Sequence, residues 1–137
     1  MGRLQASAFR LLLQVVKPVS VDHLVARIGA SAGIASGIRV LERSGHIRFD
    51  RDGCIVGALG LSVRPTMHEL SIDGSRLWAW CAFDVIGIFG ALRASGNARS
   101  TDPYSGNIAL EFADGIPYLT RSLKGHMVHY GLCSRSL

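Results

Sequence analysis

The sequence predicts a mixed α/β (α+β) fold in two parts: three short helices and a β-hairpin over residues 1–64, then a small mixed α/β core over residues 65–137. Three observations predict it. Apolar residues recur at helical spacing three times before residue 45. Asp52-Gly53 then separates two β-prone runs, a strong hairpin signal. Beyond residue 64, short alternating runs flank one long apolar segment centred near Cys81. With 137 residues, 48% hydrophobic and 18% charged, the chain holds enough apolar material for one ordinary domain or two very small ones sharing a core.

Taken in order, Leu4, Phe9, Leu12, Leu13 and Val16 mark a first helix, ended by Lys17-Pro18. Ser20 can cap a second helix whose apolar side is Leu24, Val25 and Ile28, with Gly29 as its stop. Ser31 is the next cap candidate, followed by Ile34, Ile38 and Leu41 at i, i+4 and i+7. That third helix leaves Ser36, Arg39 and Arg43 facing outward. Ile47–Asp50 and Cys54–Leu59 form the hairpin around Arg51-Asp52-Gly53. Three helices and a hairpin are the order of a winged helix-turn-helix. Used on DNA, such a module places helix three in the major groove, and Ser36, Arg39, Arg43 and Arg51 would be its contacts. Packing modules share this order, so the order alone does not assign DNA binding.

In the second part, Leu61, Val63, Leu70 and Ile72 alternate, and Asp73-Gly74 makes a turn. Ser75 then reads as the cap of one helix running roughly from Arg76 to Leu92. On that helix Cys81 and Asp84 share the core-facing side with Leu77, Trp80, Val85 and Ile88. An aspartate there costs free energy unless paired or neutral, with Arg76 or Arg93 as conceivable partners. Ala98–Thr101 and Asn107–Phe112 read as strands around a loop, and the segment from Tyr118 onward has no clean period.

Charge and cysteine usage bound the function. The net charge is +5, and all of it lies in residues 1–64, where nine basic groups face four acids. Such asymmetry fits a polyanion-facing surface as well as ordinary solubilising charge. No apolar stretch is long enough to span a bilayer, and Met-Gly-Arg-Leu-Gln lacks a signal-peptide pattern, so a cytoplasmic location with no membrane partner is expected. Cys54, Cys81 and Cys133 form no Cys-x-x-Cys clip, and in a reducing compartment they are free thiols. His126, His129 and Cys133 would share a face on a helix, but Gly125 and Gly131 argue against one, which leaves an incidental cluster.

The run Arg76-Leu-Trp-Ala-Trp-Cys-Ala-Phe-Asp84 carries the most chemistry. A thiolate beside a carboxylic acid, with Trp78, Trp80 and Phe83 excluding water, suits capture of a soft metal and transfer of a proton to whatever it carries. The ordinary reading of an isolated Cys-x-x-Asp is a structural cysteine near a surface aspartate, and the aromatic flanks weigh against it here.

This run resembles the alkylmercury lyases, whose pattern is an Ala-Trp-Cys-Ala-x-Asp segment. The resemblance extends from Ala6 and Pro18-Val-Ser through Asp52-Gly-Cys-Ile-Val-Gly-Ala-Leu-Gly-Leu and Ser71–Asp84 to Ser105-Gly106, roughly three quarters of the chain. It implies a winged-helix-like part joined to a mixed α/β catalytic core, and protonolysis of a carbon–mercury bond. Cys81 would capture mercury, Asp84 would carry the proton, and a second cysteine would complete the coordination. Mercury is then substrate or bound ion, and no cofactor is implied. This sequence has Lys124 and Gly125 where the family's Cys-Cys-His-Val-His-like strand has its cysteines, and Asp102 where a loop cysteine would stand. Cys133 is the remaining thiol that could stand in, so the expected metal set is Cys81, Asp84 and Cys133 in a shortened core. Three readings stay open: an organomercurial- or soft-metal-binding lyase relative, a DNA-binding regulator with a metal-sensing remnant, and an inactive remnant. The sequence leaves the oligomeric state open.

Overall fold

The computed structural model describes residues 2–102 and 106–122. The chain divides into two compact units, Met1–Arg64 and Pro65–Leu137.

Among the described residues, the first unit holds helices α1 (Gly2–Val15), α2 (Val21–Ile28) and α3 (Ile34–Arg43), followed by strands β1 (Ile47–Phe49), β2 (Ile55–Ala58) and β3 (Leu61–Ser62). The helical spacing fixes which side chains turn inward: Ala8, Leu11 and Leu12 from α1, Leu24 from α2, and Ile38 and Leu41 from α3 are buried. Ser20 caps α2, its hydroxyl accepting the His23 N–H at 3.0 Å. Gly29 ends that helix by donating its N–H to the Val25 carbonyl. Gly33, not Ser31, precedes α3, in a left-handed conformation with φ 90°. A serine adopts that backbone only under strain. Val19 and Ile55 exchange backbone hydrogen bonds, tying the approach to α2 onto β2.

Asp50 locks the turn between β1 and β2. Its Oδ1 accepts the Asp52 and Cys54 N–H groups at 2.9 Å each, and its Oδ2 pairs with Arg64 at 3.3 Å. The bond from Cys54 is the main cause that holds the Asp50 carboxyl below the ordinary aspartate range.

The second unit contains β4 (His68–Ile72), β5 (Ser75–Ala79), α4 (Ala82–Leu92), β6 (Gly96–Asp102), β7 (Gly106–Ala113) and β8 (Ile116–Ser122). Its strands lie in the order β5-β4-β6-β7-β8, every neighbouring pair antiparallel. The single helix expected over 76–92 is therefore corrected: its first part is strand β5. Asp73 and Gly74 both have positive φ, 49° and 79°, so the chain reverses in a two-residue turn that sets Ile72 opposite Ser75. Once that register is set, Leu77 and Ala79 alternate inward while Arg76 and Trp78 face away. Asp114-Gly115 does the same between β7 and β8, with φ 50° and 83°, and produces a strand that the aperiodic tail sequence did not announce.

Helix α4 covers one face of this sheet. Val85, Ile88 and Phe89 of α4 are buried, as are Leu70, Ile72, Leu77 and Ala98 of the sheet, and the Phe89 and Phe112 rings stack at 3.9 Å between centroids. Gly96 and Gly115 are the close-approach points. A Cβ on Gly96 would stand 2.1 Å from the Ser71 carbonyl oxygen, and one on Gly115 2.9 Å from that of Phe89.

Two predictions follow from this packing. Gly96→Ala should cost more than about 3 kcal/mol in urea unfolding, because backbone cannot yield to the new methyl. Gly87→Ala, an exposed position in α4 with open space around it, should instead stabilise by up to about 1 kcal/mol. For Asp50, a carboxyl depressed in the folded state stabilises above its unfolded value and loses that effect as pH falls through the folded one. The urea midpoint should therefore drop below about pH 4, and Asp50→Asn should remove part of that dependence.

Candidate thiol–carboxylate site

Strand β5 ends at Ala79, Trp80 carries the chain out of the sheet, and Cys81 caps α4 with extended backbone, φ −150° and ψ 173°. Asp84 lies in the first turn of that helix. A cap side chain faces the third residue after it, the geometry that capping boxes use, so the Cys81 thiol reaches back over the first turn. Its S–H donates to Asp84 Oδ2 at 3.2 Å. The i, i+3 pairing expected from helical spacing is thus present, produced by a cap instead of mid-helix neighbours.

This placement corrects the surroundings. Cys81 is exposed and Asp84 half-buried, so neither lies in the core. Phe83 is 86% exposed and shields nothing. Trp78 is on the far face of β5, with the Arg76 guanidinium 5.5 Å above its ring. Arg76 is paired with Glu69 at 2.6 Å and Arg93 caps the opposite end of α4, so among the described residues Asp84 meets the thiol and neither arginine. The aligned thiol and carboxylate sit at a helix N-terminus, where backbone N–H groups favour negative charge. An exposed thiol there can reach a bulky soft-metal compound and hand its proton to the adjacent acid.

Other expected site residues fall as follows. Arg39 and Arg43 are exposed one turn apart on α3, and Arg51 is exposed in the β1–β2 turn. The Ser36 hydroxyl donates to the Gly33 carbonyl at 3.0 Å, so it serves its own helix. Cys133, Lys124, Gly125, His126 and His129 lie outside the described residues. Among the described residues no group of three or more His, Cys, Asp or Glu is placed to hold a metal ion, and no helix is long and apolar enough to cross a membrane. Sequence reading passed over Thr66, His68 and Ser100, which form a hydrogen-bonded set at the sheet end where Cys81 emerges. Their signal was faint: His68 and Ser100 are polar side chains on strands, and Thr66 stands in the exposed approach to β4.

The site is thus a thiol–carboxylate pair at a helix cap that an antiparallel sheet delivers. The alkylmercury lyase family model matches residues 61–131, just over half of the chain. The chain belongs to the alkylmercury lyase family. It is 36% identical over 87 residues to an alkylmercury lyase of Bacillus cereus, a match covering 61% of this chain and 38% of that protein. A Pseudomonas putida alkylmercury lyase is 40% identical over 78 residues, covering 56% and 35%. The matched stretch thus spans well under half the length of these relatives. The fold is similar to that in a crystal structure of the mercury-bound form of MerB2, with a TM-score of 0.71 at 24% identity over 91% of this chain and 69% of that one.

If Phe83 shields nothing, Phe83→Ala should shift the urea unfolding free energy by less than about 0.5 kcal/mol, the range of an ordinary surface substitution.

Proposed function

We propose that this chain captures an organomercurial at Cys81 and uses Asp84 to protonate the carbon that leaves mercury. The observation that carries this reading is the 3.2 Å hydrogen bond from the Cys81 thiol to Asp84, in a chain of the alkylmercury lyase family. As the sulfur bonds to mercury it displaces the anion that mercury carried, the S–H bond breaks, and the proton passes along the hydrogen bond to the Asp84 carboxylate. The Asp84 acid then donates it to the mercury-bound carbon: the carbon–mercury bond breaks, a carbon–hydrogen bond forms, and mercury stays on the thiolate. Mercury is soft and thiolates are its natural ligands. It arrives with the substrate, and the scheme calls on no separate cofactor. General acid action of this kind contributes on the order of 10²–10⁴-fold.

A second sulfur would make the carbon more carbanion-like. Lys124 and Gly125 occupy the positions where the family resemblance places cysteines, so Cys133 is the proposed second thiolate and turnover through Cys81 alone is expected to be slow.

The test combines titration with product release. The wild-type chain should bind one equivalent of an organomercurial with a thiolate–mercury absorption signature. Cys81→Ser should abolish that signature, and Asp84→Asn should keep capture while lowering hydrocarbon release by on the order of 10²-fold or more. Stoichiometric binding retained in Cys81→Ser would move the site to another cysteine and defeat the reading.

A further inference from the structure

The polar set beside the thiol does work that the capture scheme leaves unassigned. Thr66 Oγ1 lies 3.0 Å from the His68 backbone nitrogen and 2.5 Å from the Ala79 carbonyl oxygen. An N–H can only donate and a carbonyl can only accept. The Thr66 hydroxyl is therefore oriented by its partners: it accepts the His68 N–H and donates to the Ala79 carbonyl, the His68 carbonyl being a far longer contact at 3.5 Å. Ala79 is the last residue of β5, two before Cys81.

The set continues across the sheet. His68 stands opposite Ala79 on β5 and opposite Ser100 on β6, and its Nδ1 is 2.8 Å from Ser100 Oγ. The Thr101 N–H reaches the Met67 carbonyl at 2.9 Å, closing the same end of the β4–β6 ladder. His68 alternates with Leu70 and Ile72, so its ring faces the layer covered by α4, at the end where that helix begins. Three strand ends are thus joined by side chains at the point where the backbone leaves the sheet to form the cap of α4.

We propose that Thr66, backed by the His68–Ser100 pair, is a positioning residue for Cys81. By holding the Ala79 carbonyl it fixes the direction of the Trp80-Cys81 exit, and so the thiol's alignment on Asp84. The proposal rests on Cys81 being the reactive thiol. It is independent of whether mercury is the compound captured. Thr66 touches neither reacting atom; it acts through two residues of backbone, and a misplacement of about 1 Å is enough to change reactivity severalfold or more.

The experiment measures alkylation of each cysteine by iodoacetamide, followed by peptide mass mapping, in the full chain. Thr66→Val keeps the shape and removes the hydroxyl. It should change the Cys81 rate about fivefold, the effect of one net hydrogen bond, and leave the Cys54 rate in the other unit unchanged. Thr66→Ser restores a hydroxyl and should return the wild-type rate. An unchanged Cys81 rate, or equal shifts at both cysteines from general loosening, overturns the proposal. Should Thr66→Val fail to fold, Ser100→Ala removes the far support and should produce the same Cys81-specific change; no change there overturns it equally. An organomercurial titration of the wild type runs alongside. If Cys81 binds no mercury while its alkylation still depends on Thr66, the capture reading falls and the positioning role stands. If mercury binds Cys81 and Thr66→Val alters nothing, the positioning role alone falls.

Discussion

The register of the β4–β5 hairpin is the constraint on which the second unit depends. Asp73 and Gly74 take left-handed conformations, and a two-residue reversal leaves one pairing, Ile72 with Ser75. From that pair, every later position on β5 is assigned a face. Leu77 and Ala79 enter the core and Trp78 leaves it. A slip of one residue would exchange those faces and place Trp78 and Arg76 under α4. It would also change where the strand ends, and with it which residue becomes the helix cap.

The helix that follows is seated by apolar contact. Burial of Val85, Ile88 and Phe89 contributes about 2 kcal/mol each, far more than any single polar bond at the cap. The Phe89–Phe112 stack and the Gly115 approach fix the distance of α4 from the β7–β8 turn. The polar cap is therefore a consequence of core packing, and its geometry inherits the precision of that packing.

Chemically, the site differs from a buried acid in a desolvated pocket. Its thiol is open to solvent and its carboxylate half-open, on a helix terminus whose unpaired N–H groups favour negative charge. That arrangement leaves the sulfur accessible from solvent and already hydrogen-bonded to the carboxylate.

Much of this was legible in the chain itself. Helical spacing placed α1, α2 and α3 and, of their buried residues, Leu12, Leu24, Ile38 and Leu41 but not Ala8 or Leu11; the Asp52-Gly53 turn placed the first hairpin, and Cys81 with Asp84 stood out as a pair able to meet. These are local properties, set by periodicities and turn preferences that act over a few residues. The boundary at Ala79 was not legible. Arg76-Leu-Trp-Ala-Trp satisfies a helical face and an alternating strand alike, and only pairing with β4 decides between them. Likewise Asp114-Gly115 was an available turn signal, but Ile116–Ser122 became a strand because β7 offered it an edge. The exposure of Cys81 and the Thr66–His68–Ser100 set depend on three strands meeting at one end of a sheet. The sequence by itself determined that Cys81 and Asp84 can meet. Tertiary structure decided how open they are and what holds them, because strand pairing is non-local and no window of sequence contains both partners.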